Sequence, residues 1–206
     1  LDGDKFPELI TAGEWMPVSI WKNDSSVLKR ITGNGLDSTF GLWNSLAVDD
    51  LDGDGDMDII AGNFGLNNRI QVSKNEPLEM IVSDIDKNGR HEPLLFYYNE
   101  HRKYPLLPHS PFGTEVTTRK VAERQVTTRE SAWFENDGKG SFSRHVLPGA
   151  AQYFPVFGIN VTDVDNDGKK DIILVGNLKA VQPGLGNFDA GYGLILPSGK
   201  IPMPLL

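Results

Sequence analysis

"DDLDGDGDMDIIAG", residues 49–62, sets five aspartates at alternate positions: Asp50, Asp52, Asp54, Asp56 and Asp58. The stretch then runs directly into "DIIAG", which reads as a buried strand. Like charges crowded this closely repel one another. Something must gather them beside a hydrophobic core, and the rest of the chain says what.

The pattern repeats. Asp50-x-Asp52-x-Asp54-Gly55-x-x-Asp58 returns as Asp163-x-Asp165-x-Asp167-Gly168-x-x-Asp171. It returns in softened form as Asp84-x-Asp86-x-Asn88-Gly89-x-x-Glu92. A partial copy opens the chain as Asp2-x-Asp4-x-x-x-Glu8, its first position falling before Leu1, so the chain reads as a piece of a longer protein. Short apolar runs follow each copy ("ELITAGE", "DIIAGN", "EPLLFYY", "DIILVGN"), and three copies are also preceded by one ("SLAVD", "MIVSD", "GINVTD"). These segments have strand length and strand composition. Hairpin patterns come further on, at "VSIWKNDSSVLKRI", "AWFENDGKGSFSRHVL" and "GLILPSGKIPMPL". Strand, acidic loop, strand and outer hairpin make the unit of a β-propeller blade. The expected fold is all-β, with about four blades spread over residues 1–206 and an insertion at about 101–130.

Alternate oxygens in a turning loop converge on one point. Positions 1, 3, 5 and 9 offer side-chain oxygens and position 7 its backbone carbonyl, an oxygen set suited to calcium. The glycine at position 6 allows the sharp turn, and a bound cation reverses the repulsion. The side-chain ligands expected are Asp2, Asp4 and Glu8; Asp50, Asp52, Asp54 and Asp58; Asp84, Asp86, Asn88 and Glu92; and Asp163, Asp165, Asp167 and Asp171. The carbonyl ligands expected are those of Phe6, Asp56, Arg90 and Lys169, whose scattered chemistry fits a position that uses only its backbone. Three to four Ca²⁺ ions are expected. An EF-hand would need Glu at position 12, where this chain has Ala61, Leu95 and Leu174. Cysteine-dependent calcium repeats are excluded by the absence of cysteine, and tandem nonapeptide rolls by the wide dispersal of the copies. Metal-free acidic turns would not recur in register with strands.

"VDDLDGDGDMDIIAGNFG" and "VTDVDNDGKKDIILVGN", with "FENDGKGSF", resemble FG-GAP repeats, the calcium-binding blade repeats of integrin α-chain propellers and of many bacterial surface proteins. "GNFGLNNRI", "DIDKNGRHEPLLFYY" and "FDAGYGLIL" are similar to bacterial VCBS/FG-GAP proteins, some of which carry an ASPIC/UnbV-type segment. The resemblance implies a seven-bladed propeller, of which this chain supplies part. It also implies an extracellular, periplasmic or cell-surface binding or adhesion module with a protein or glycan ligand. A calcium-dependent polysaccharide lyase or hydrolase on the same scaffold is the alternative.

Composition narrows the partners. A net charge of −8 argues against nucleic acid. No apolar run reaches the ~20 residues of a membrane span. The histidines at 91, 101, 109 and 145 have no zinc spacing, and no G-x-S-x-G occurs; catalytic residues are therefore not assigned. The 101–130 segment is basic for this chain, with Arg102, Lys103, Arg119, Lys120, Arg124 and Arg129 against Glu115, Glu123 and Glu130. Such a segment suits an anionic glycan or partner. Of the four tryptophans, Trp21 and Trp133 fall at matching hairpin positions that suit core packing, while Trp15 and Trp43 are the candidates for stacking on sugars.

Overall fold

A computed structural model describes the chain apart from residues 2, 3, 5, 26, 69, 107–118, 180–187 and 199–206. The described residues form β-strands and one short 3₁₀ turn, Gly149–Gln152. They divide into two compact units, one of residues 1–67 with 129–206 and one of residues 68–128.

The larger unit holds three larger antiparallel sheets. The first orders β1 (Leu9–Thr11), β3 (Ser19–Asp24) and β4 (Val27–Arg30) side by side. Two short strands, β2 (Glu14–Met16) and β5 (Gly41–Leu42), pair apart from it. The second sheet contains β6 (Ser45–Asp49) and β7 (Asp58–Gly62) and is completed by strands from beyond residue 128.

The smaller unit contributes β8 (Leu78–Ser83), β9 (Glu92–Asn99), β10 (Arg102–Pro105) and β11 (Lys120–Val126). After it the chain returns with β12 (Ala132–Asn136) and β13 (Phe142–Val146), giving the second sheet the order β6-β7-β12-β13. The third sheet is β14 (Gly158–Thr162), β15 (Asp171–Val175) and β16 (Leu194–Leu196). Its continuation past Pro197 falls mostly outside the described residues, as does the second arm of the expected 193–205 hairpin.

Alternation within the second sheet explains the stacking. Successive strand side chains face opposite ways. Ile59 and Ala61 of β7, with Ala132 and Phe134 of β12, pack with Val18, Ile20 and Trp43. Ile60 and Trp133 face the other way and pack with Ile172, Leu174 and Leu196 of the third sheet. The second sheet is thus buried on both faces, and all five residues of β7 are buried. The strand sequences "DIIAG" and "AWFEN" are apolar at odd and even positions alike, as such a sandwiched sheet requires. The fold is all-β, and its stacked antiparallel sheets are consistent with FG-GAP β-propeller blades.

Polar contacts tie the second and third sheets together. Ser45 Oγ donates to the Val156 carbonyl (2.8 Å), Val156 N–H donates to the Asn63 carbonyl (3.0 Å), and Lys170 Nζ reaches Asp49 (3.2 Å).

The smaller unit is a four-stranded antiparallel sheet ordered β10-β9-β8-β11. Its last strand pairs with β8, its first, whereas in the second sheet the last strand stands at the far side from the first. This unit lies in the chain between β7 and β12 and takes in the 84–92 loop as well as most of the 101–130 segment. Arg129, read from sequence with the basic segment, belongs to the larger unit and is 2% exposed. Burial lowers its pKa to about 10. Trp43 is also buried, its Nε1 donating to the Thr39 carbonyl (2.8 Å), so it offers no face to a sugar.

Candidate metal centre

Residues 50–58 connect β6 to β7, residues 84–92 connect β8 to β9, and residues 163–171 connect β14 to β15. All three fold in the same way. Position 6 is glycine at positive φ each time: Gly55 at 98°, Gly89 at 86° and Gly168 at 86°. Position 4 is also left-handed, as Gly53 (82°), Lys87 (59°) and Asn166 (61°). Two residues in this region two positions apart wrap the chain tightly around the side chains at positions 1, 3 and 5.

The carboxylates hold that wrap. At position 1, one oxygen accepts the N–H of the position-6 glycine: Gly55 to Asp50 (3.1 Å), Gly89 to Asp84 (3.0 Å) and Gly168 to Asp163 (2.9 Å). Position 3 accepts from position 5: Asp54 to Asp52 (3.2 Å), Asn88 to Asp86 (3.1 Å) and Asp167 to Asp165 (3.2 Å). Position 5 accepts from position 7: Asp56 to Asp54 (2.9 Å), Arg90 to Asn88 (2.8 Å) and Lys169 to Asp167 (2.9 Å). The partial first loop keeps this last bond, Phe6 N–H to Asp4 Oδ1 (2.9 Å). Asp2 lies outside the described residues.

Position 9 ties each loop back to its own start. Leu51 N–H donates to Asp58 (3.1 Å), Ile85 N–H to Glu92 (3.1 Å) and Val164 N–H to Asp171 (2.9 Å). In the first loop the Leu1 nitrogen donates to Glu8 Oε2 (2.6 Å). Two of these residues are buried anchors. Asp58 is 1% exposed, and its other oxygen accepts from Asn136 N–H (2.9 Å); Asp171 accepts from Ser198 N–H (2.9 Å) in the same way.

Three groups of oxygens converge, each within 4.8 Å: Asp50, Asp52 and Asp54; Asp84, Asp86 and Glu92; and Asp163, Asp165 and Asp167. That spacing fits one calcium, whose ligands lie about 2.3–2.6 Å from the ion and so about 5 Å or less from one another. The donor set of hard, anionic oxygens fits as well. The first loop adds a buried acceptor, Glu8 Oε1, with no hydrogen-bond partner. Asp58 and Asp171 stand outside the converging groups. Asp56 turns its carboxylate toward the β12–β13 turn, where a side chain on Gly138 would meet Asp56 Oδ2 at 2.2 Å.

The 50–58 loop is electrostatically loaded. Burial raises the Asp52 pKa, and the charges of Asp54, Glu135 and Asp50 push the same way. Burial pushes Asp58 up to about 7 against two backbone N–H bonds, with Asp52 and Asp54 adding to the rise. A divalent cation at the centre would reverse both effects.

Among the described residues, each histidine has its own surroundings. His101 pairs with Glu76 (2.6 Å), His145 pairs with Glu135 (2.7 Å) and stacks on Trp133, His91 is exposed, and His109 lies outside the described residues.

Sequence reasoning found the glycine turn but not the left-handed position 4. Gly53 was visible there; Lys87 and Asn166 gave no shared signal. It also took position 9 for a ligand only and missed its anchoring bonds, whose one readable sign was an acidic residue opening the strand after each full loop.

Residues 1–61 match the family model of an FG-GAP-like repeat, a span that includes the first two acidic loops. No curated protein and no solved structure matches the chain.

Proposed function

We propose that this chain, which carries an FG-GAP-like repeat, is an extracellular binding module whose acidic loops hold structural calcium. Repeats of this kind generally form extracellular binding modules, and among the described residues no helix is long and apolar enough to cross a membrane. The observation that carries the metal part is the shared conformation of the three loops, each drawing its converging oxygens from its own few residues. Asp50, Asp52 and Asp54, with the Asp56 carbonyl, would hold one ion; Asp84, Asp86, Asn88 and Glu92 a second; Asp163, Asp165 and Asp167, with the Lys169 carbonyl, a third. The partial loop at Asp4, Phe6 and Glu8 is the fourth candidate. Supplied this way, calcium staples the bend between two strands and leaves ligand contact to other surfaces. The ligand is a protein or a glycan presented at a cell surface.

Asp52→Ala and Asp165→Ala test the role of the metal. Both should lower thermal stability, with binding to a cell-surface or glycan-array target falling only as far as folding does. Folded variants of unchanged melting temperature that no longer bind would give calcium a bridging role instead.

A further inference from the structure

The inserted unit differs in charge from the rest of the chain. Residues 68–128 carry nine Lys and Arg against eight Asp and Glu, a net of +1, while the remaining residues carry eleven against twenty, a net of −9.

Register places aromatic and cationic residues together on one face of its sheet. Tyr104 of β10 stands opposite Tyr97 of β9, their rings 6.0 Å apart and tilted by 36°. Two residues from Tyr104, on the same face of β10, is the exposed Arg102. On the next rows of this face come Leu95 opposite Met80, and Met80 opposite Arg124 of β11. Arg124 is exposed and spends Nη1 on the Glu123 carbonyl (2.9 Å). The opposite face is the more buried one, with Phe96 and Ile81 in the core, and its polar groups are paired: Lys103 and Tyr98 both bond Glu79, and Lys103 lies over the Phe96 ring.

We propose that the Tyr97–Tyr104 pair with Arg102 and Arg124 is a binding platform for an anionic glycan. The inference rests on the binding-module reading above and names its ligand class. Aromatic faces stack on the apolar side of a sugar ring. Guanidinium groups bind carboxylate or sulfate through paired hydrogen bonds. Charge complementarity selects this surface, because an acidic polymer is repelled by the −9 remainder of the chain and not by this unit.

The test uses the full chain in millimolar calcium, titrated calorimetrically with hyaluronan oligosaccharides (carboxylate only), heparin oligosaccharides (sulfate-rich) and neutral dextran. Either anionic glycan, or both, should bind and dextran should not, the pattern between the two identifying the anionic group preferred. Arg102→Gln and Tyr104→Ala should each weaken binding by about five- to tenfold. Melting temperatures should stay at the parent value, and Lys74→Gln, elsewhere in the unit, should bind like the parent. Absence of binding, equal binding of dextran, or parental affinity in both variants would overturn the proposal. Calcium-dependent melting alongside absent glycan binding would sink this platform alone; loss of both would sink the calcium reading as well.

Discussion

Asp58 Oδ1 accepts the Asn136 backbone N–H at 2.9 Å, although 78 residues of chain separate them. The bond fastens an acidic loop to β12, the strand that resumes the sheet after the inserted unit. Asp58 Oδ2 accepts Leu51 N–H as well, so one buried carboxylate closes the loop and joins it to the neighbouring strand. Asp58→Ala should therefore leave two N–H groups unpaired and destabilise the protein by about 2 kcal/mol or more. Urea unfolding measures it, and a loss under about 0.5 kcal/mol would show that the anchor is dispensable.

Lys87 holds a left-handed conformation (φ 59°) where the 50–58 loop uses Gly53. A lysine pays for that conformation and a glycine does not. Lys87→Gly should raise stability by roughly 0.5–1 kcal/mol, read as a higher urea midpoint at unchanged slope. A lower midpoint would mean that the lysine side chain does something the backbone argument omits.

The loops should differ in affinity. Asn88 replaces a carboxylate in the 84–92 loop, and its Nδ2 donates to Asp86 Oδ2 (2.8 Å), engaging an oxygen that calcium would claim. With affinity following ligand charge among other factors, this loop should release calcium first on depletion, and Asn88→Asp should tighten it. Site-resolved NMR titration giving the 84–92 loop the highest affinity of the three would reverse that order.

Acid should loosen the β12–β13 hairpin. Asp137 Oδ1 accepts from Ser141 and Lys139 N–H (both 2.9 Å), which lowers its pKa. A lowered folded-state pKa means that Asp137 contributes its stability above the unfolded value, about 3.9. That contribution is lost as pH falls through the lower folded value. The stability gap between the parent and Asp137→Ala should hold steady from neutral pH to about 4 and shrink below it. A gap that widens on acidification would contradict this.

The acidic loops and their flanking strands are legible in the sequence because both are local. Asp50 to Gly55 dictates its turn through bonds that span five residues or fewer. "AWFENDGKGSFSRHV" likewise pairs with itself across "NDGKG". The route of the chain between sheets is not local. β7 pairs with β12 across residues 68–128, and nothing near "DIIAG" or "AWFEN" marks them as partners. The sheet between them, ordered β10-β9-β8-β11, is likewise not signalled by the spacing of the acidic loops. Trp43 shows the same limit: its burial comes from Phe134 and Thr39, which close on it only in the fold.

The most direct test of the account is thermal unfolding of the full chain in chelator, in millimolar magnesium and in millimolar calcium. Calcium bound only by the folded state stabilises it by mass action, about 2.7 kcal/mol per site at one hundred times Kd. Extracellular calcium modules bind in the ~10⁻⁴–10⁻³ M range. The account predicts a melting temperature that is lowest in chelator, rises with calcium concentration and responds less to magnesium. A melting temperature that stays the same in all three would contradict it.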